Sequence, residues 1–303
     1  MAQTMLREIP TFSEKNKACQ NAAMQMLNRV GSDLRVAAMA GLLAWPGIAA
    51  AQTAQFTIPS AGSGPTGIVA GPDGALWFDE QSANNIGRVT TSGSFTEFSI
   101  PTAGARPLSI IVGPDSALWF TELSVGKIGR ITTAGAITEY PLLSASAGPE
   151  EIVVGPDGAF WFGESNTSKI GRMTLAGAVT EFATPTGNSF PDGITVGADG
   201  NLWFAERSGN NIGRITTAGV ITEFAVPTAA SEPRKIAAGP DGALWFTEQT
   251  GNNIGRITTA GAFTEFPLTT PNGSPADIVS APDGTLWFGQ ENSNIGQITT
   301  TGR

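Results

Sequence analysis

Three columns of residues, spaced 42 positions apart, hold the side chains whose types could do chemistry. Thr66, Leu108, Glu150, Asp192, Arg234 and Ala276 form the first. Gly64, Arg106, Gly148, Phe190, Glu232 and Ser274 form the second. Glu80, Glu122, Glu164, Glu206, Glu248 and Gln290 form the third. The first two columns change chemistry from one position to the next, as a binding surface carried on variable loops does. The third is nearly uniform, so a repeated structural role is its simplest explanation. Gathered at one rim, five carboxylates would nevertheless make an electronegative mouth suited to a cation or a cationic ligand. Phe190 is the aromatic in these columns placed to touch a ligand.

The chain has no histidine among 303 residues and one cysteine. A Ser–His–Asp triad, a Cys–His dyad and histidine-ligated zinc are therefore excluded.

The 42-residue spacing belongs to a repeat. G-P-D-G or a near copy starts at Gly71, Gly113, Gly155, Gly197, Gly239 and Ala281. The unit reads P-x-x-I-x-x-G-P-D-G-A-L-W-F-x-E, a polar loop, then N-x-I-G-R-I-T-T-x-G-x-x-T-E-F. P-D-G predicts a tight turn with glycine at positive φ, and A-L-W-F predicts a strand buried on both faces. A second hairpin turns at T-x-G. Four strands in about forty residues is the pattern of a β-propeller blade. Centring the second hairpin on residues 259–262 places Arg256 opposite Glu265. The same register pairs Arg88 with Glu97, Arg130 with Glu139, Arg172 with Glu181 and Arg214 with Glu223. Trp77, Trp119, Trp161, Trp203, Trp245 and Trp287 are expected in the core.

The expected fold is all-β: a six-bladed propeller spanning 52–303. The last repeat ends before its fourth strand, and T-A-Q-F-T-I-P at 53–59 aligns with the fourth strand at 95–101. The N-terminal strand is thus expected to complete the last blade and close the ring, with Gln55 facing Gln297.

Residues 1–51 read as an N-terminal extension with a secretory signal. Arg29 and Arg35 precede the apolar run 36–50, and Ala49–Ala51 offer a small-residue cleavage site. The mature chain is expected to be secreted or periplasmic, monomeric, and not stably inserted in a membrane. Cleavage removes Cys19 and leaves 12 Lys/Arg against 23 Asp/Glu, a net charge of −11. That balance argues against nucleic acid as a partner. A small molecule, a peptide or a protein on the channel rim fits better.

The repeated G-P-D-G-x-L-W-F-T-E and N-x-I-G-R-I resemble the virginiamycin B lyase (streptogramin lyase) family over the whole mature chain. The resemblance implies a seven-bladed propeller. It also implies a carbon–oxygen lyase that opens cyclic streptogramin B esters by elimination, using Mg²⁺ and a histidine base. The family's E-x-H-G-I motif, with an acidic residue twelve positions after the isoleucine, falls on Glu232, Pro233, Arg234, Lys235, Ile236 and Glu248. Glu232 and Glu248 then occupy the implied Mg²⁺ positions. Arg234 stands at the base position, and Asp192 at the position of a second, substrate-contacting histidine. Arginine stays protonated in proteins and cannot accept a proton. Arg234 is expected instead to fork between Glu232 and Glu248, supplying charge where the family has metal.

Three functions remain open at this point. The first is a non-catalytic binding propeller whose rim carries Arg106, Glu150, Phe190, Asp192, Glu232, Arg234 and Lys235, with no cofactor of its own. The second is a divergent Mg²⁺-dependent lyase using Glu150, Asp192 or a strongly desolvated Lys235 as base. The third is a lactonase-like hydrolase.

Overall fold

The computed structural model describes residues 55–303. The expected leader therefore lies outside the described residues. Twenty-three strands form six antiparallel sheets. In chain order the sheets are β1–β4 (65–99), β5–β8 (107–141), β9–β12 (149–183), β13–β16 (191–225), β17–β20 (233–267) and β21–β23 (275–299). Each innermost strand opens on a proline, at 65, 107, 149, 191, 233 and 275. Proline is tolerated there because a first residue need not donate to the ladder. In the first five sheets the register shifts between that proline and the isoleucine three residues later. These bulges set off the two intervening residues, where the variable charges lie.

The innermost strands β1, β5, β9, β13, β17 and β21 pack each against the next. Five hydrophobic clusters fill the five junctions between consecutive sheets. Trp77, Trp119, Trp161, Trp203 and Trp245 are fully buried at their centres. Each of these indoles donates to the aspartate of the preceding turn, as Trp119 Nε1 does to Asp115 Oδ1 at 2.9 Å. The turns follow the expected form: Gly113 N donates to Ala117 O, and Ser116 N to Gly113 O.

The hairpin charge pairs are corrected. Gly255, not Arg256, faces Glu265, and Arg256 faces Thr264. The same one-residue offset holds at Arg88, Arg130, Arg172 and Arg214. The cause is the loop: Thr258 N donates to Ala262 O, so three residues turn the chain rather than four, with Gly261 in the left-handed region at φ 91°. The two charges find other partners. Arg256 Nε bonds Asp241 Oδ2 at 2.7 Å, over the Trp245 ring. Glu265 accepts from the backbone N and hydroxyl of Thr228, in the loop leaving the preceding sheet. Glu97, Glu139, Glu181 and Glu223 bind the preceding loop in the same way, so this column staples sheet to sheet.

The sixth sheet has three strands, and residues 55–58 belong to no sheet. Among the described residues no packing like that at the other junctions joins β21 or β22 to β1. Ile68, Val279, Trp287 and Ile295 are correspondingly exposed. Gln297 donates to Thr285, and Gln55, its expected partner, lies in no sheet.

Candidate functional site

The second column has one conformation throughout. Gly64, Arg106, Gly148, Phe190, Glu232 and Ser274 all have positive φ, from 44° to 66°. The carbonyl of each accepts the amide of the residue just after strand two, as Glu232 O does from Gln249 N. A left-handed residue with a side chain costs about 1–2 kcal/mol. Arg106, Phe190, Glu232 and Ser274 are held there by this repeated bond, so their side chains leave a fixed backbone. Arg106 is exposed.

The third column does not form a mouth. Glu80, Glu122, Glu164, Glu206 and Glu248 are fully buried. Burial, with further contributions from the strand-four glutamates, pushes them up to about 7 for Glu80, Glu164 and Glu248 and about 8 for Glu122 and Glu206. At least one carboxyl oxygen of each lacks a hydrogen-bond partner, as does the side-chain oxygen of Gln290. The column is buried within the blades rather than presented at the rim.

The first column, with its neighbour one residue on, builds a charged cluster on the innermost strands. Asp192 is its hub, with Lys235 Nζ at 2.9 Å from Oδ1 and Arg234 Nε at 3.4 Å from Oδ2. The Arg234 contact is a charge contact without hydrogen-bond alignment. Arg234 Nη1 reaches Glu291 at 3.6 Å, and Lys235 Nζ reaches Glu151 at 3.5 Å. Arg234 is thus drawn toward Asp192 and Glu291, not forked between Glu232 and Glu248. Burial works against the charge on Lys235, but Glu151 and Asp192 outweigh it and hold the amine above its ordinary value. These ion pairs favour the protonated amine, the opposite of the lowered value a lysine base needs. Burial raises Glu150, and Asp192 raises it further, against the opposing pull of Lys235 and Arg234. A cavity of about 570 Å³ opens beside this cluster, lined among others by Leu108, Glu151, Arg234, Lys235 and Asp277.

Glu232 belongs to a separate group. Arg207 Nη2 lies 3.3 Å from Glu232 Oε2, with its guanidinium 6.0 Å from the Phe190 ring centre. Phe190 is half-buried. Glu248 is occupied elsewhere, accepting from Asn253 at 3.0 Å. The two carboxylates at the implied Mg²⁺ positions therefore have different partners, one a guanidinium and the other an amide in the blade interior. No group of three or more metal-ligating side chains occurs among the described residues. With Glu232 ion-paired to Arg207 and Glu248 hydrogen-bonded to Asn253, these two carboxylates as placed do not form a shared magnesium site.

Sequence reasoning missed Arg207, Glu291 and Asp277. Arg207 and Glu291 follow directly after the uniform glutamate column, where the repeats read Gln81, Leu123, Ser165, Arg207, Gln249 and Glu291. That variation was visible, but its direction toward the rim was not. Asp277 shares a column with Glu151 and Lys235, which the periodicity also contained.

The fold and site define a β-propeller with a charged cluster on its innermost strands and an adjoining cavity. The chain belongs to the virginiamycin B lyase family, whose pattern matches residues 48–181 and 137–303. A virginiamycin B lyase from Staphylococcus aureus is 43% identical, with a TM-score of 0.77 over 80% of this chain and 83% of that one. A catalytically inactive histidine-to-alanine variant of virginiamycin B lyase from the same organism, with quinupristin, is 42% identical with a TM-score of 0.78 over 81% and 84%. A gluconolactonase from Xanthomonas campestris shares the fold at 15% identity, with a TM-score of 0.54 over 77% and 85%.

Proposed function

We propose that this protein is a secreted or periplasmic propeller that binds a ligand at its channel and does not perform elimination by its relatives' route. One observation carries the reading. The residue at the family's base position, Arg234, is a guanidinium drawn to Asp192 and Glu291, in a chain with no histidine at all. A related virginiamycin B lyase is inactive when a single histidine becomes alanine. Neither cation at this site replaces it: arginine cannot take a proton, and Lys235 is paired with carboxylates that favour its protonated form.

The cluster also describes the ligand. Glu150, Glu151, Asp192 and Asp277 outnumber Arg234 and Lys235, and Phe190 offers an aromatic face nearby. A compact small molecule or peptide bearing a positive charge and a flat apolar group suits that surface. The reading takes the mature chain as a monomer whose six sheets close into a ring around the channel.

Quinupristin is the probe. Titrating it into the purified protein by calorimetry, with chromatography and mass analysis of the mixture, is expected to show saturable binding and an unchanged compound, in Mg²⁺ and in chelator alike. Phe190→Ala is expected to weaken binding. A ring-opened isomer of the same mass, formed only with Mg²⁺, would overturn the reading.

A second reading, the divergent lyase, is favoured by Glu150. It is buried beside Asp192 with its proton affinity raised, which is the condition a carboxylate base needs. That reading requires the isomer to form and to be lost in Glu150→Gln. A lactonase-like hydrolase would instead give a product heavier by one water.

A further inference from the structure

At each bulge of the first five sheets, one residue of strand two faces two residues of the innermost strand. In the second sheet that residue is Thr121, whose hydroxyl accepts the amide of Ser109 at 3.2 Å. In the fifth it is Thr247, which accepts the amide of Lys235 at 3.1 Å. In the first it is Asp79, on β2 (Leu76–Glu80), facing Thr66 and Gly67 of β1 (Pro65–Ala70). The same column holds Gly163, Ala205 and Gly289 in the remaining sheets, so Asp79 is its one ionisable member.

The second bulge residue has a task of its own. Ser109 Oγ and Glu151 Oε2 each accept an isoleucine amide of the next innermost strand, from Ile152 and Ile194 at 3.4 Å. Gly67 has no side chain to do this, and Asp79 fills the place. A β-carbon on Gly67 would lie 2.6 Å from Asp79 Oδ2, 3.4 Å from Leu108 O and 3.5 Å from Ile110 Cγ2. One carboxyl from strand two therefore sits between its own bulge and that of β5 (Pro107–Val112).

Asp79 is fully buried, and neither of its oxygens has a hydrogen-bond partner. The Gly67 amide approaches it without meeting hydrogen-bond geometry. An ionised carboxylate there would be a buried charge without compensation. Among the described residues no charged side chain acts on it. Its neighbours on β1 and β5 are Thr66, Gly67, Leu108 and Ile110, and its partner on the third strand is Ile86. Glu80, next along β2, turns to the other face and lies over Gly87. Burial pushes the Asp79 carboxyl well above the usual carboxylate range, opposed by the Gly67 amide alone. Once protonated it needs an acceptor. Leu108 O is at hand: it takes the Thr66 hydroxyl at 3.2 Å and has a second lone pair.

We propose that Asp79 is a positioning residue, a neutral carboxylic acid that ties the bulge of β1 to the bulge of β5 and so fixes an uncharged wall of the channel cavity. The four bulge residues, Thr66, Gly67, Leu108 and Ser109, all line that cavity. A proton on Asp79 leaves their wall without charge, and the charges of the cavity then come from Glu151, Arg234, Lys235 and Asp277 of the later sheets. A cationic ligand head is drawn to Glu151 and Asp277, and its flat apolar part to Ile68, Leu108 and Ile110. This orientation rests on the ligand reading above. The proton on Asp79 does not.

The test is carbon-13 NMR of the full chain labelled at its aspartate carboxyls, at pH 7 and without ligand. The expected result is one aspartate signal at the position of a protonated carboxyl, missing from Asp79→Asn. Aspartate signals that all lie at the carboxylate position would overturn the proposal, as would a protonated signal that survives in Asp79→Asn. Urea unfolding supplies a second readout. Asp79→Asn keeps a donor and an acceptor without charge and is expected to hold the wild-type midpoint. Asp79→Leu, similar in size with neither, is expected to lower it. Equal midpoints for the two variants would overturn the tie between the bulges. Hydrogen exchange locates the loss: amides of 65–70 and 107–112 are expected to exchange faster in Asp79→Leu, with those of 233–238 unchanged. Uniformly faster exchange would overturn the positioning role. If Asp79→Leu does not fold, the NMR comparison decides. None of these measurements involves ligand, so a failure of quinupristin binding leaves the protonated tie standing, and the reverse holds.

Discussion

Asp192 and Lys235 meet between two neighbouring innermost strands, β13 (Pro191–Val196) and β17 (Pro233–Ala238), with Oδ1 and Nζ 2.9 Å apart. Asp192 also draws Arg234, so one buried carboxylate neutralises both cations of the cluster. Asp192→Asn keeps the shape and removes the charge. It is expected to cost about 1–3 kcal/mol, because two cations lose their shared partner. Urea unfolding of the two proteins measures this, and an unchanged midpoint would mean that Glu151 and Glu291 suffice.

The buried glutamates predict an unusual pH dependence. A carboxyl whose folded value is raised adds stability that is fully present below its unfolded value, near 4.5, and is lost as pH rises through the folded value. For Glu80, Glu122, Glu164, Glu206 and Glu248 that loss extends up to about 7–8. The turn aspartates act oppositely: Asp115 and Asp241 are lowered, since hydrogen bonds from the indole and the guanidinium, with the backbone amide, outweigh burial, and their contribution is lost in acid. Thermal melts are expected to peak in mildly acidic buffer and to fall toward pH 8.5. Glu122→Gln should flatten that fall, and a melting temperature that rises from pH 5 to 8.5 would contradict the assignment.

Asp241 serves two donors. Trp245 Nε1 donates to one oxygen at 3.1 Å and Arg256 Nε to the other at 2.7 Å. Asp241→Ala strands a buried indole N–H and is expected to cost about 1–3 kcal/mol. Asp241→Asn keeps an acceptor and loses only the ion pair, about 1 kcal/mol or less. Equal losses in the two variants, by urea titration, would show that charge rather than the indole bond matters.

Glu139 staples the second sheet to the first, accepting from Thr102 N, Thr102 Oγ1 and Lys127 Nζ. Glu139→Gln and Thr102→Val are each expected to destabilise by about 0.5–1.5 kcal/mol. A double-mutant cycle should show less than the sum of the two, since both variants remove the same hydroxyl contact. Additive losses would mean that the staple holds through the backbone N–H alone.

Much of this was legible in the chain. The 42-residue period named the propeller repeat, the P-D-G turns and five of the six expected core tryptophans, Trp287 being exposed, because each depends on residues a few positions apart. The charged rim residues Glu150, Asp192, Arg234 and Lys235 stood out because they break the repeat. Their partnerships did not. Arg234 was expected between Glu232 and Glu248, neighbours in its own sheet, and instead turns to Asp192 of the preceding sheet and Glu291 of the following one. Phe190 was read as a ligand aromatic, and its own partner, Arg207, went unnoticed. The hairpin register failed by one residue, since the pattern T-x-G is compatible with both a three-residue and a four-residue turn.

The sequence by itself determined the class of structure and excluded a chemistry: no histidine means no histidine base, whatever the fold. Only the tertiary structure decided which charges meet and which are buried. Propeller sheets are joined side to side, so residues 42 positions apart become neighbours while residues twelve apart can face opposite ways. The glutamate column shows the reason most clearly. In the sequence it is a row of carboxylates that could ring a channel; in the fold each one lies fully buried within its blade, where loss of water rather than proximity to a cation sets its proton affinity.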